Sequence, residues 1–146
     1  MKEFLSVKLI GDPYILVREV LPSDDAETVE DKNRLPFQTQ KSALIKVLYR
    51  DKKGNETQKI ISNPTIYKYD GASIPFKIGK GNMKLLIPAL FHDIMCEDKS
   101  IIDYNRRLSS LIFKDLLIQC KVNKYKAEFM FGAVDTWQRF MKGWKS

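Results

Sequence analysis

The segment Ala43–Ser62, ALIKVLYRDKKGNETQKIIS, decides the fold of the first half of this 146-residue chain. Two runs rich in β-branched and aromatic residues flank a polar tip that has Gly54 and Asn55 at its centre. Both residues tolerate the positive φ that a tight turn between antiparallel strands requires, so the segment predicts a β-hairpin. A third run with alternating polarity, TIYKY at 65–69, is expected to join the hairpin in a small antiparallel sheet.

The residues before the hairpin divide into a strand-like run and an acidic stretch. The run PYILVREV at 13–20 is rich in branched and aromatic residues, as is typical of a strand. The stretch near 22–42 has five acidic side chains between Asp24 and Asp31 and few apolar residues. This composition favours a long exposed loop or a frayed helical turn. The stretch is either simply solvated, or used to dock a basic partner or to mask the basic second half.

The second half of the chain changes to helical spacing. The segment KLLIPALFHDIMCED at 84–98 predicts a helix that begins near Ile87 or Pro88, because a proline is best placed in a first turn. Asp103 and Asn123 are suited to cap a second and a third helix. On the third helix an aromatic stripe recurs at three- and four-residue steps, which is more typical of core than of a ligand site. The stripe consists of Phe129, Ala133, Trp137, Phe140 and Trp144.

This order of elements predicts an α+β fold, in which helices from the C-terminal half cover a small, mostly antiparallel sheet from the N-terminal half. We expect a single domain over 1–146, with a strand-rich part at 1–69 and a helical part at 70–146 that begins with the turn DGASIP. A chain of this length buries enough surface to fold without metal or disulfide staples. Cys96 and Cys120 lack a zinc-binding pattern, so we expect free buried thiols and no metal or cofactor.

The formal charge of +7 is concentrated in the second half of the chain. Residues 1–75 carry 12 basic and 11 acidic side chains, whereas residues 76–146 carry 13 and 7. A basic half suits nucleic acid, an anionic surface or an acidic protein partner. The candidate binding residues are Lys80, Lys84, Arg106 and Arg107.

Two properties of the chain bear on its location. No run of 18 apolar residues is present, which predicts that nothing spans a membrane. Charged residues interrupt the apolar N-terminus, which excludes a signal-peptide core and favours a cytoplasmic start.

His92 is the single histidine and the natural candidate for a general base. A small hydrolase would use His92 with Ser73 or an activated water as nucleophile, and with Asp70, Asp93 or Asp103 orienting the ring or binding a cation. Adjacent residues on a helix point about 100° apart, so Asp93 is poorly placed to orient the ring and Asp70 or Asp103 is the better candidate. The alternative is a half-buried structural histidine bonded to a backbone carbonyl. The serine also lacks the GxSxG frame of an elbow nucleophile.

A set of short motifs resembles the domain-of-unknown-function family thirteen-fifty-three, which is widespread in tailed phages and prophages. The resemblance covers about Thr65 to Trp144 and implies a phage or prophage origin, but no established activity comes with it. Its motifs are Asp70-Gly71-Ala72-Ser73-Ile74-Pro75, Pro88-Ala89, His92-Asp93, Arg106 followed by Phe113, and Gly132-Ala133-Val134 before a tryptophan-containing end.

The chain departs from the family pattern at two places. Met95-Cys96 stand where an aromatic residue, often Tyr, follows the His-Asp pair. Ser109 and Ser110 stand where an Ala-Asp pair precedes the phenylalanine, so this chain lacks that acid. If the acid belongs to an active site, its loss favours a structural or binding role.

Three functions follow from the sequence. The leading hypothesis is a phage- or prophage-encoded non-enzymatic protein, a virion or assembly component or an accessory factor, that binds a protein partner of the phage or its host. Its location would be the bacterial host cytoplasm or the virion. The alternatives are a small hydrolase with His92 as general base, and a binder of nucleic acid or an anionic surface.

Overall fold

The computed structural model of the protein describes residues 3–10, 17–19, 37–39, 44–62, 68–69, 84–141 and 143–144. Within these ranges strands occupy the N-terminal half and helices the C-terminal half, which confirms the predicted α+β class. The strands are β1 (Glu3–Ile10), β2 (Val17–Glu19), β3 (Phe37–Thr39), β4 (Leu44–Arg50), β5 (Glu56–Ser62) and β6 (Lys68–Tyr69). The helices are α1 (Leu86–Glu97), a short 3-10 helix (Lys99–Ile102), α2 (Arg106–Gln119) and α3 (Lys124–Arg139).

The predicted hairpin is confirmed. Strands β4 and β5 pair antiparallel from Leu44 opposite Ser62 to Arg50 opposite Glu56. Gly54 adopts φ +84° in the connecting turn, the left-handed conformation for which a glycine was expected there.

The prediction that the run at 65–69 joins the hairpin in one sheet is wrong. The sheet has the order β1-β4-β5, so β1 takes the free edge of β4, while β6 pairs with β3 in a second sheet of order β2-β3-β6. β3 lies inside the stretch near 22–42 that was predicted to be a loop, and most of that stretch lies outside the described residues.

Strand β1 was not predicted, and side chains of α2 hold its outer edge. Asp115 Oδ2 accepts a hydrogen bond from the Val7 N–H at 3.0 Å, and Gln119 Oε1 accepts one from the Leu9 N–H at 3.0 Å. The Gln119 amide in turn donates to the Val7 carbonyl. Since Asp115 and Gln119 are one helical turn apart, they pair with the edge as a further strand would. This contact fastens the helices to the sheet.

The helix starts match the sequence predictions at two of three places. α1 begins at Leu86 with Pro88 in its first turn, and the Asn123 side chain caps α3 by accepting from the Tyr125 N–H at 2.8 Å. The prediction that Asp103 caps α2 is wrong, because Asp103 adopts φ 55° at the end of the 3-10 helix. The cap is Asn105, whose side chain accepts from the Leu108 N–H at 3.0 Å.

The core lies between the sheet β1-β4-β5 and the helices. Alternate residues of β4, among them Ile45 and Val47, are buried, and they join the buried residues of α1 and α2 in one cluster. Helix α1 is buried on all sides from Leu86 to Met95, as expected of a helix inside the core. Among the described residues, none of the helices combines the length and apolar content needed to cross a membrane.

Candidate functional site

His92 lies on α1 with its side chain fully buried. Its ring packs against Phe113, with the centroids 5.3 Å apart, and its Nδ1 lies 3.8 Å from Cys96 Sγ. On the other side of the ring, Gln138 Nε2 of α3 lies 2.8 Å from His92 Nε2. The expected backbone carbonyl is therefore not the partner at Nε2, and neither is a carboxylate; a side-chain amide holds this position.

This contact fixes the protonation state of the ring. An amide nitrogen only donates, so His92 Nε2 accepts and the ring is neutral with its proton on Nδ1. Burial lowers the pKa of His92 from 6.5 to about 4. A general base works best when its pKa is near the working pH, so this histidine is a weak proton acceptor at pH 7.

The two serines at the family's Ala-Asp positions lie beside this pair. Gln138 Nε2 also donates to Ser109 Oγ at 3.0 Å. Ser110 Oγ lies 2.7 Å from Gln138 Oε1 and 2.9 Å from Asp135 Oδ1. A carboxylate therefore does contact residue 110, but it belongs to Asp135 of α3 and not to a residue of α2. We use the name polar cluster for a set of six side chains: His92, Arg106, Ser109, Ser110, Asp135 and Gln138.

Asp135 is the charged centre of the polar cluster. Arg106 Nη1 binds Asp135 Oδ1, and Arg107 Nη1 binds Asp135 Oδ2 at 3.2 Å. Arg139 Nη2 lies 3.8 Å from Asp135 Oδ2. Burial alone raises the pKa of Asp135, but the hydrogen bonds from Arg106 and Ser110 and the charges of Arg106 and Arg107 outweigh it, and the pKa lies below 3.8. The carboxylate is therefore ionised at pH 7.

The binding residues predicted from the sequence have specific partners in the described part of the chain. Arg106 and Arg107 hold Asp135, and their side chains are 12% and 55% exposed, so Arg107 alone of the two still faces solvent. Lys84 Nζ donates to the Lys121 carbonyl at 3.1 Å. Lys80 lies outside the described residues.

Of the remaining predicted catalytic residues, one is described by the structure and two are not. Asp93 is buried on α1, whereas Asp70 and Ser73 lie outside the described residues. Both cysteines are free; Cys120 is buried as expected and Cys96 is half-buried. Burial raises the pKa of Cys120 to about 12, so this thiol is not a nucleophile at pH 7.

The aromatic stripe on α3 does not lie in the core. Phe129 is 70% exposed, Trp137 is 44% exposed and Phe140 is 86% exposed, which makes the core prediction wrong for these three. The buried face of α3 is the opposite one, which includes Val134 and Gln138. We call this surface the outward face of α3; it consists of the half-buried Ala133 and the exposed residues Tyr125, Phe129, Gly132, Thr136, Trp137 and Phe140.

The outward face contains an open groove of about 710 Å³. Gly132 lies in this groove, and a Cβ atom added there would meet nothing within 4 Å. A glycine inside a helix costs about 1 kcal/mol relative to alanine. No contact within the described chain requires that glycine.

The charges beside the outward face are mostly positive. Lys126 and Arg139 are exposed, and helical spacing places them on either side of the outward face. The acid on this part of the helix, Glu128, is paired with Lys114 Nζ at 3.0 Å. The groove is therefore mostly apolar, with the paired Glu128 in its lining and a basic border.

Comparisons with known proteins agree with these motifs. A family model described as "Protein of unknown function (DUF1353)" matches residues 44–134, well over half of the chain. The match spans the hairpin, His92, the serine pair and most of α3. Searches of curated proteins and of solved structures gave no match. The chain belongs to this family of unknown function, as the motifs indicated.

Proposed function

We propose that the protein is a phage- or prophage-encoded, non-enzymatic factor that binds a protein partner through the outward face of α3. Its role would be that of a virion or assembly component, or of an accessory factor acting in the host cytoplasm. One observation carries the proposal: Phe129, Trp137 and Phe140 form an exposed apolar strip along a helix that already buries its other face.

The strip has the composition of a binding surface. Soluble proteins seldom expose contiguous apolar patches without a function. Aromatic residues are enriched at the centre of protein interfaces, where they supply most of the binding energy. Phe129, Trp137 and Phe140 recur at helical spacing, which suits a helix laid along the groove with its apolar residues facing inward. Gly132 would let the backbone of that helix come close.

The basic border indicates which helix binds. Lys126 and Arg139 lie beside the groove, Glu128 in its lining is paired with Lys114, and the whole chain carries +7. Like charges facing each other across an interface are unfavourable, so a second copy of this chain is a poor occupant. We therefore propose an amphipathic helix with acidic residues beside its apolar stripe.

The state of His92 supports a role without catalysis. The ring is buried and neutral, and Gln138 occupies its Nε2. A general base needs its accepting nitrogen within reach of a substrate proton. In this arrangement the histidine joins α1 to α3 and so holds α3 in place behind the outward face.

A labelled synthetic peptide tests the proposal. The peptide is an amphipathic helix with one Leu/Phe stripe and glutamates elsewhere, and its binding is followed by fluorescence anisotropy. We expect Phe129→Asp to weaken binding by about thirtyfold, the size of an interface hot spot. Ile60→Asp is the matched control, because it replaces an apolar residue that is 55% exposed with the same acid on β5 instead of α3.

Two results of this titration would overturn the proposal. One is equal affinity for wild type and Phe129→Asp. The other is equal affinity for the glutamate peptide and a peptide in which lysines replace the glutamates, because the basic border would then select nothing.

A further inference from the structure

A second cavity lies at the C-terminal end of α3, next to the polar cluster. It is open, has a volume of about 370 Å³, and is lined by Arg106, Gln138, Arg139, Met141 and Trp144. Gln138 and Arg106 belong to the polar cluster, so the cavity borders the buried charges. None of its lining residues belongs to the outward face, which makes it a separate site.

Among the described residues beside this cavity, the positive side chains outnumber the one carboxylate that pairs with them. Three guanidinium groups, those of Arg106, Arg107 and Arg139, converge on the single carboxylate of Asp135. Two of the three arginines line the cavity. Each guanidinium has five N–H donors in a fork that fits a carboxylate or phosphate, and one carboxylate cannot occupy three forks. Donors and positive charge therefore remain for a further anion.

Trp144 adds two observations at the same place. Its Nε1 is buried and has no hydrogen-bond partner in the part of the chain that the structure describes. A buried donor without an acceptor costs about 1–3 kcal/mol, and here the donor belongs to a residue that lines the cavity. Lys99 Nζ lies 5.2 Å from the centroid of the Trp144 ring and donates to the Cys96 carbonyl at 2.8 Å, so a positive charge faces the indole.

We propose that this cavity is a binding site for a small oxyanion, a phosphate or a carboxylate group of a ligand. Arg106 and Arg139 supply charge-assisted hydrogen bonds, and the Trp144 N–H supplies a neutral one. The bound anion neutralises the positive charge of the arginines that the single carboxylate of Asp135 does not. Binding here involves none of the seven residues of the outward face, and Arg139 is the one side chain that it shares with the basic border. The peptide titration tests Phe129 and the anion titration follows Trp144, so the failure of one proposal is distinguishable from the failure of the other.

The indole signals of the protein provide the test. The chain has two tryptophans, so a ¹H–¹⁵N spectrum shows two indole N–H signals, which the Trp137→Phe variant assigns. The full-length protein is titrated with sodium phosphate, sodium acetate and sodium chloride at constant ionic strength. We expect the Trp144 signal to move and saturate with an oxyanion while the Trp137 signal stays in place. The oxyanion that saturates the site at the lower concentration identifies the group as phosphate or carboxylate.

A pair of variants makes the test specific. Arg139→Gln should weaken binding about tenfold, the effect of one charge-assisted hydrogen bond. Its side chain is 63% exposed, so the substitution leaves the core intact. Arg50→Gln on β4 is the matched control, because it removes the same charge far from the cavity and should change nothing.

Three outcomes would overturn the proposal. The Trp144 signal would stay in place in every salt, or follow chloride as closely as the oxyanions, or lose its response equally in Arg139→Gln and Arg50→Gln. The last two results would show a general salt effect instead of a site.

Discussion

Gln138 of α3 donates a hydrogen bond to His92 of α1 across 2.8 Å, and neither side chain is exposed. The bond joins the helix at the centre of the core to the helix that carries the outward face. It also decides the chemistry of the histidine, since a buried ring that accepts at Nε2 stays neutral. Two of the predictions below depend on this polar cluster.

His92 should make the stability of the protein depend on pH. Its pKa falls from 6.5 to about 4 on folding, so between these values the unfolded chain binds a proton that the folded protein does not. The free energy of unfolding should therefore decrease by about 2 kcal/mol between pH 7 and pH 4.5. Urea denaturation at several pH values measures this. The His92→Gln variant is the control, and an equal slope in both proteins would show that His92 is not the source.

The Asp135→Asn variant should be strongly destabilised. It leaves the guanidinium of Arg106, which is 12% exposed, without its carboxylate, and we expect a loss of about 3 kcal/mol at pH 7. The lowered pKa of Asp135 means that its contribution is present above pH 3.8 and is lost as the pH falls below that value.

Arg107→Gln provides the comparison for Asp135→Asn, because its side chain is 55% exposed and the change should cost less than about 1 kcal/mol. Denaturant titration of both variants at neutral pH gives the two numbers. Equal losses would mean that the buried pair with Arg106 has no special weight.

Gly132→Ala should separate stability from binding. The helix gains about 1 kcal/mol because alanine is the better helix former and its Cβ meets nothing within 4 Å. The same methyl group fills the floor of the groove, so binding of the acidic peptide should weaken. Thermal unfolding and peptide anisotropy are measured on one preparation.

Gly54→Ala is the matched substitution for this prediction. Gly54 has equally open surroundings but adopts φ +84°, so the same change should destabilise the protein by about 1 kcal/mol and leave peptide binding unchanged. A Gly132→Ala variant that is more stable and binds as well as wild type would leave the glycine without a role in the groove.

Local sequence signals predicted the parts of the fold that are set by local physics. The hairpin around Gly54, the proline in the first turn of α1 and the cap at Asn123 each depend on residues within one turn of the chain. Strand β1 was missed because its edge is completed by Asp115 and Gln119, more than a hundred residues away. No short pattern in the sequence contains that partnership.

The polar cluster and the outward face were missed for a related reason. Helical spacing marked an aromatic stripe on α3, but the helix has a second face that includes Val134, and spacing does not say which face turns inward. Asp135 and Gln138 face inward because they bind Arg106 of α2 and His92 of α1. The acid and the amide on the second face were the sequence signal for the polar cluster. Their partners lie on other helices, so the signal can be interpreted only once the helices are packed together. The single domain over 1–146 remains a prediction.

The most direct test of the central claim is photo-crosslinking from the outward face inside the cells that naturally carry the gene. A photoreactive phenylalanine replaces Phe140, which is 86% exposed, and in a parallel strain it replaces Ile60 as a control. We expect the probe at position 140 to attach to one protein, on an acidic amphipathic helix, and to lose that product when Gly132→Leu fills the groove. Equal labelling from position 60, or attachment to a second copy of this chain, would contradict the claim.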